Sequence, residues 1–480
     1  MNAALPLTSL SNEIDVELQL ALQRQRAAFQ AQPYPSLAQR KADLRRLLDF
    51  ILQHQEGLCA AVSADYGHRA RHETMITEII PAIDSLRHTQ RHLRRWMKAQ
   101  KRGVDWTVFA GAKNRVIPQP LGVVGVIVPW NFPINLSLIP LCYIFAAGNR
   151  AMLKLSENSR HLAAYLQQHL QSYFAPDKLH ISDETGGVGI AFSKLAFDHL
   201  LFTGSGQTGR AVMRAAAENL VPVTLELGGK APAIVAPDFP LRTAVERIMY
   251  VKCLNAGQIC TTVDYLWLPE DKLSEFVSLA REVVQKRYAD LHSQDYSALI
   301  NPAAYERLQA ALNEARLAGA ELIPLLNGPV ADATTHKLAP HIVLNASSDC
   351  ALWQREIFGP ILPIKTYRDI EQVFTELKTA ARPLAIYPFS EDNNLIQRFI
   401  TEVMSGGVSV NDCLFHVAQH DMPFGGVGES GMGHYHGYEG FVTFSKLRPV
   451  FYQSRFALTR LLAPPYRGWL EKIFALKRYF

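Results

Sequence analysis

Hydrophobic positions in the first hundred residues recur at helical spacing. Leu44, Leu47, Leu48 and Ile51 form one stripe, and Ser36 with Gln39 makes a capping-box pair just ahead of it. The same periodicity resumes from Glu73 to Met97, so residues 12–98 are expected to be helical. From 103 to 120 the pattern changes: Gly103, Gly111, Pro118 and Pro120 punctuate short β-prone pieces, which predicts a hairpin. Apolar runs then alternate with helical patterns. Strands are expected at 123–128, 151–155, 199–203 and 221–225, with helices over 133–147, 159–173 and 206–218 between them. Alternation of this kind predicts an α/β fold built on a doubly wound parallel sheet. A second α/β series runs from Ala231 to about Val410. A turn-rich stretch, 423–433, precedes a β-prone stretch, 441–451. There is no internal repeat and no low-complexity linker.

Length and composition narrow the class. A chain of 480 residues exceeds one simple core and implies two or three domains. Hydrophobic residues at 48% and charged residues at 19% are the balance of a globular protein. A net charge of +5 is small for this length, and no concentrated Lys/Arg block argues for nucleic acid. The nearest cluster, 88–95, is read as a solvated helix face. Cysteines 59, 142, 253, 260, 350 and 413 are scattered, without a C-x-x-C pair or a metal-ligand spacing. A reducing cytoplasm fits them. The N-terminus lacks the basic start and apolar core of a signal peptide, and no apolar run is long enough to span a membrane.

Two short runs carry the chemistry. Residues 255–260 read Asn-Ala-Gly-Gln-Ile-Cys, and 225–230 read Leu-Glu-Leu-Gly-Gly-Lys. Cys260 and Glu226 supply a nucleophile and a base, the two groups needed to oxidise an aldehyde through a covalent intermediate. A free thiol with a pKa of about 8.5 is mostly protonated at neutral pH unless its site lowers that value. Glu226 stands in an apolar run that disfavours its charged form and moves its pKa toward the working pH. The bland alternatives are an inert buried cysteine and a strand-end salt-bridge partner. Gly228 and Gly229 argue against the second, because they let another backbone or a ligand approach. Asn131, in Pro-Trp-Asn-Phe-Pro just past a strand end, offers an amide donor for an oxyanion, with the backbone N–H of Cys260 as its partner. One such donor is worth ~2.7–4 kcal/mol; otherwise Asn131 is a helix N-cap.

With these runs the chain resembles the aldehyde dehydrogenases from about residue 36 to about residue 450. Val410-Asn411-Asp412 and the stretch 423–445, including Gly-Met-Gly-His-Tyr-His-Gly at 431–437, are similar to the class 3 branch and its bacterial coniferyl aldehyde dehydrogenases. The resemblance implies that Cys260 attacks the aldehyde carbon to give a thiohemiacetal. Hydride then leaves to a nicotinamide, and Glu226 drives hydrolysis of the thioester that remains. It implies a dinucleotide-binding domain (1–102 and 121–228) and a catalytic domain (229–427). It also implies a small β bridging element (103–120 and 441–452) that pairs with a second copy in a homodimer, and a tail over 453–480.

The resemblance also resolves a misleading motif. Residues 204–209 read Gly-Ser-Gly-Gln-Thr-Gly, a literal G-x-G-x-x-G that would place Glu226 on an adenosine ribose. Two predicted strands precede it, whereas that motif normally falls in the first βαβ unit. The family needs only Gly204 and Gly209, with Ser205 near the pyrophosphate, so Gly206 is read as coincidental. By resemblance Lys154 and Glu157 bond the adenosine ribose, although Leu155 stands where the family usually has proline. Glu356 and Phe358, in Glu-Ile-Phe-Gly-Pro, hold the nicotinamide ribose and ring. NAD is the expected cofactor, because Glu157 would face the 2′-phosphate of NADP; class 3 relatives often accept both. Phe132 and Phe424 flank Asn131 and the 423–426 turn and are expected to line an aldehyde tunnel. His416 and His420 have the i, i+4 spacing of a helical metal pair, but no further ligand set stands nearby, so no metal is expected.

Rival readings are weaker. A coenzyme A-dependent relative would lack the carboxylate at 226, and a non-catalytic descendant would have lost Cys260, Glu226 or Asn131. An alcohol dehydrogenase explains the glycine motif alone. Fatty aldehydes remain the alternative to aromatic ones. In the tail, Trp469, Ile473, Leu476 and Phe480 make an apolar helical stripe beside Lys472, Lys477 and Arg478. It is expected to dock on the fold or across a dimer, with weak peripheral contact to an anionic membrane as the alternative.

Overall fold

The computed structural model describes residues 7–182 and 187–455, with scattered positions beyond them (457, 463–466, 468, 469, 471, 472 and 475). Ile473, Leu476 and Phe480 of the apolar stripe lie outside the described residues. No helix among the described residues is long and apolar enough to cross a membrane.

Long helices lead. Leu37–Tyr66 begins at the capping box: Gln39 N donates to Ser36 Oγ at 3.3 Å and Ser36 N to Gln39 Oε1 at 2.8 Å. The pattern after Glu73 becomes a π-helical turn, Met75–Ile79, running into the helix Ile80–Trp96. Asn135–Ala147 is apolar on every face and buried throughout from Ser137 to Ala147, as expected of a helix enclosed by others. The buried Arg40 guanidinium donates to the carbonyls of Ala146 and Ala147 at its C-terminal end, where a cation complements the helix dipole.

The first sheet has six strands in the order Gly431–Met432, Val223–Leu227, His199–Gly204, Val123–Ile127, Arg150–Lys154 and Leu179–Ser182. All its pairs are parallel except the first. Strand order reverses about Val123–Ile127, so the crevice at the carboxyl ends of the central strands is the expected ligand site. The second sheet has seven strands: Glu321–Pro324, His341–Leu344, Ile361–Tyr367, Tyr265–Pro269, Pro232–Val235, Ala385–Phe389 and Gly407–Val408. A third, antiparallel sheet joins Gln100–Arg102, Lys113–Pro120 and Ser445–Tyr452.

Four details depart from the sequence reading. Leu179–Ser182 is a third strand ahead of the glycine motif in the first sheet; four residues with a polar His180 give no clear alternation. The expected hairpin at 103–120 has its first strand earlier, at Gln100–Arg102. The β-prone stretch at 441 opens inside a helix, Gly437–Thr443, because aromatic residues there are spent on packing: Phe441 and Phe444 are buried and Gly440 lies against the Tyr143 ring. His416 and His420 are not on a helix at all. His416 Nδ1 lies 2.9 Å from Ser409 Oγ and His420 Nδ1 lies 3.0 Å from Ser85 Oγ.

Candidate active site

The loop that carries Cys260 is held in an unfavourable shape. Asn255, Ala256 and Gly257 have φ of 50°, 49° and 72° in succession, a left-handed run that costs about 1–3 kcal/mol for each non-glycine residue. Buried polar contacts pin it. Asn255 N donates to Glu73 Oε1 at 3.1 Å, and its Nδ2 bonds Tyr66 Oη and the carbonyls of Asn131 and Gln258, each at 3.2 Å. Gln258 Nε2 donates to the Asn255 and Ala298 carbonyls, and Ile300 N donates to Gln258 Oε1. A side chain at 257 would strike the Gly359 carbonyl, so glycine is required there on two counts.

Asn131 is fixed through its backbone. Its carbonyl also accepts from Tyr66 Oη at 3.1 Å and Arg69 Nη1 at 3.0 Å. Arg69 pairs with Glu78 at 2.8 Å, and Glu78 Oε2 accepts from Ile134 N and Asn135 N at the start of the helix Asn135–Ala147. Both members of this buried pair make further hydrogen bonds, which is how such ions are tolerated, although Arg69 Nε has no partner among the described residues. The Asn131 amide faces the Cys260 loop, with Nδ2 at 3.4 Å from the Gln258 carbonyl, a long contact. The sequence reading missed Tyr66, Arg69, Glu73 and Glu78; for Glu73 and Glu78 the only sequence signal is charge within a helical stretch, and Tyr66 and Arg69 carry none.

Glu226 occupies the strand Val223–Leu227, buried, opposite Thr203 on one side and Gly431 on the other. Neither carboxylate oxygen has a hydrogen-bond partner among the described residues. Burial raises its pKa well above the ordinary carboxylate range and so disfavours its charged form. Cys260 is partly buried. Burial, with the Glu356 and Glu226 carboxylates adding to it, pushes its thiol up to about 12, the reverse of an activated cysteine.

The remaining predicted residues gather at the carboxyl ends of the first sheet. Lys154 ends its strand, buried, and Glu157 follows, exposed, with Oε2 at 3.1 Å from Ser156 Oγ. Leu155 donates its N–H to the Ser182 carbonyl at 3.0 Å, a bond a proline could not make. Gly204 and Ser205 lead into the helix Gly206–Ala217, where Ser205 Oγ accepts from Thr208 N at 3.2 Å as the N-cap. The helix N-terminus therefore faces the crevice with free backbone donors, the arrangement that suits a pyrophosphate. A β-carbon at Gly209 would meet Leu227 Cδ2 at 2.7 Å, so Gly209 permits close packing of helix on strand, while Gly206 has nothing nearer than Arg210 at 3.5 Å.

Glu356 folds onto Gly228, where any β-carbon would collide with its carboxylate. Its enclosed Oε1 has no partner among the described residues, an acceptor that fits a ribose hydroxyl. Burial, with the Asp264 carboxylate adding to it, lifts the Glu356 carboxyl to about 8. Lys230 and Asp264 anchor this segment. Lys230 Nζ bonds Asp264 and the Leu352 carbonyl, and Asp264 Oδ1 accepts from Ile357 N at 2.9 Å. Phe358, with φ of 50°, sets its ring edge-to-face against Trp130, centroids 5.4 Å apart.

Cys260, Phe132 and Phe424 line one cavity with mainly apolar walls. Phe132 also lies under the Arg69 guanidinium at 5.0 Å, and Phe424 stacks on His436. An apolar, aromatic cavity ending at a thiol, next to a crevice suited to a dinucleotide, can place a carbonyl carbon between sulfur and hydride acceptor.

Comparison with known proteins agrees. Residues 6–450 match the aldehyde dehydrogenase family. The chain is 46% identical to a probable coniferyl aldehyde dehydrogenase of Pseudomonas aeruginosa, covering 95% of each chain. It is 43% identical to a coniferyl aldehyde dehydrogenase of a Pseudomonas species, covering 91% of each. Among solved structures, a substrate-bound Staphylococcus aureus AldH superposes with a TM-score of 0.90 at 32% identity, over 95% of this chain and 99% of that one. The chain belongs to the aldehyde dehydrogenase family and is an oxidoreductase acting on aldehydes.

Proposed function

We propose that the protein oxidises coniferyl aldehyde or a closely related aromatic aldehyde to its carboxylic acid. The observation that carries this reading is the cavity, where Phe132 and Phe424 flank an apolar channel ending at Cys260. The relatives named for coniferyl aldehyde support it. Cys260 is the nucleophile. Asn131 and the Cys260 N–H receive the oxyanion formed when sulfur adds to the carbonyl. Glu226, as the carboxylate, takes a proton from the water that hydrolyses the thioester.

NAD or NADP, when bound, accepts the hydride. Lys154, Glu157, Gly204, Ser205 and Gly209 hold its adenosine and pyrophosphate, and Glu356 and Phe358 its nicotinamide half. Glu157 is exposed at the crevice and favours NAD. The domain division follows the sheets, with the adenosine and pyrophosphate held by the first and the nicotinamide half and the thiol by the second.

The protein acts as a homodimer. Ser445–Tyr452 is the edge of its three-stranded sheet, with Phe451 and Tyr452 half exposed. An edge of this kind is a template for strand addition by a second copy. A C-terminal helix docks on the fold or on that partner. Retention of liposome binding only with residues 464–480 would instead assign it to a membrane surface.

The test is a kcat/KM panel over coniferyl aldehyde, benzaldehyde and a medium-chain aliphatic aldehyde, with NAD and with NADP. Preference for the aliphatic substrate overturns the aromatic assignment.

A further inference from the structure

The cavity that ends at Cys260 runs between two helical segments. Thr77, Pro81 and Ser85 recur every four residues on one, and Phe132, Asn135 and Ile139 follow the other. Two contacts give its direction. Near Asn131, Asn135 Nδ2 donates to the Thr77 carbonyl at 3.1 Å. Farther on, Cys142 Sγ lies 3.9 Å from the Ser85 carbonyl. The two helices thus travel side by side away from the reacting end, and Ser85 sits two turns past Thr77, about 12 Å by helical rise.

Two polar side chains nearer the reacting end, Thr77 and Asn135, are committed to the protein. Thr77 Oγ1 donates to the Glu73 carbonyl at 2.7 Å, and Asn135 has the bond just given. Ser85 and His420 differ. Ser85 is buried, His420 is half-buried on the 413–420 loop, and Ser85 Oγ stands 3.0 Å from His420 Nδ1. Both line the cavity. Among the described residues the other ring nitrogen, Nε2, has no hydrogen-bond partner. Burial holds the imidazole below its ordinary pKa and favours the neutral ring, with one nitrogen a donor and the other an acceptor. In one tautomer Nδ1–H donates to Ser85 and Nε2 accepts; in the other, Ser85 donates and Nε2–H donates. A phenol hydroxyl is both donor and acceptor and satisfies either.

Resting on the aromatic-aldehyde reading, we propose that His420 and Ser85 recognise the para-hydroxyl of a 4-hydroxycinnamaldehyde whose aldehyde carbon lies at Cys260. Nε2 of His420 bonds the phenol, and Ser85 is the positioning residue that fixes the imidazole. The extended cinnamyl skeleton carries its hydroxyl away from the carbonyl along the same axis that separates this pair from the thiol. A pocket built this way favours the hydroxylated aldehyde, because an aldehyde lacking the hydroxyl forgoes the hydrogen bond to the imidazole.

The experiment compares kcat/KM for 4-hydroxycinnamaldehyde and cinnamaldehyde in the wild type, Ser85→Ala, His420→Phe and His420→Gln. The hydroxy/unsubstituted ratio is expected to be about tenfold in the wild type. It should collapse toward unity in His420→Phe, chiefly through KM, fall partway in Ser85→Ala and be partly restored by His420→Gln. A general folding defect lowers both substrates and cancels in the ratio. Wild-type turnover of both cinnamaldehydes with a ratio that His420→Phe leaves unmoved overturns this proposal alone. Wild-type turnover confined to aliphatic aldehydes overturns the aromatic reading and this proposal with it.

Discussion

Asn255 Nδ2 donates to the carbonyl of Asn131 at 3.2 Å, tying the loop of the nucleophile to the residue proposed to hold the oxyanion. The two residues belong to different sheets' connections, so this bond sets the distance across which the carbonyl must fit. Asn255 also has φ of 50°, which asparagine tolerates better than most residues. Asn255→Ala loses both properties, and Asn255→Gly loses only the side-chain bonds. The alanine variant is expected to be less stable than the glycine one. Both should fall below the wild type by about 1–3 kcal/mol for the unpaired buried groups. Urea midpoints measure the order, and iodoacetamide labelling of Cys260 reports whether the loop has moved.

Removing the two central groups should have separable effects. Cys260→Ala abolishes oxidation. Glu226→Gln still releases a burst of reduced cofactor and then stalls as an acyl-enzyme, visible by intact-protein mass spectrometry. Full steady-state turnover by Glu226→Gln would sink the base assignment. In the free enzyme, where burial opposes the thiolate, Cys260 should react with alkylating agents more slowly than an unhindered thiol.

Glu356 gives stability a definite pH dependence. Its carboxyl is raised from 4.5 to about 8 in the fold, so between those values the unfolded chain binds fewer protons than the native one. The neutral buried form contributes fully below 4.5, and its contribution is lost as pH rises through about 8. Relative to Glu356→Gln, the wild type is therefore expected to lose urea resistance progressively from about pH 5 to about pH 8. A stability difference that stays flat over this window would remove Glu356 from its enclosed position.

Cofactor choice should respond to Glu157. Replacing it by glutamine removes an exposed negative charge from the place assigned to the 2′-phosphate. The kcat/KM ratio of NADP to NAD is expected to rise about two- to fivefold, the scale of one surface charge interaction. No change would mean that Glu157 does not face the adenosine ribose.

Local signals in the sequence carried the parts that depend on few residues. Ser36 and Gln39 announce their helix because the cap is complete within four positions, and the runs around Glu226 and Cys260 are readable because each motif is contiguous. What escaped depends on distant partners. The Arg69–Glu78 pair matters only because Asn131 and Ile134 return beside it. Phe441 looked β-prone because its packing partner, the helix Asn135–Ala147, is some three hundred positions away. His420 carried no assigned role in the sequence, because Ser85, the residue it stands against, is more than three hundred positions away. The electrostatics of Cys260 were unreadable for the same reason: Glu356 lies almost a hundred residues downstream.

The pairing of Gly431 with Glu226 has a consequence for how the chain acquires its shape. One edge of the first sheet is a strand made after the entire second sheet has been synthesised. During translation Val223–Leu227 waits with an open flank while some two hundred further residues emerge, and the cofactor crevice cannot close autonomously. Folding of this enzyme should therefore be slow, dominated by distant contacts and vulnerable to premature strand addition at that flank.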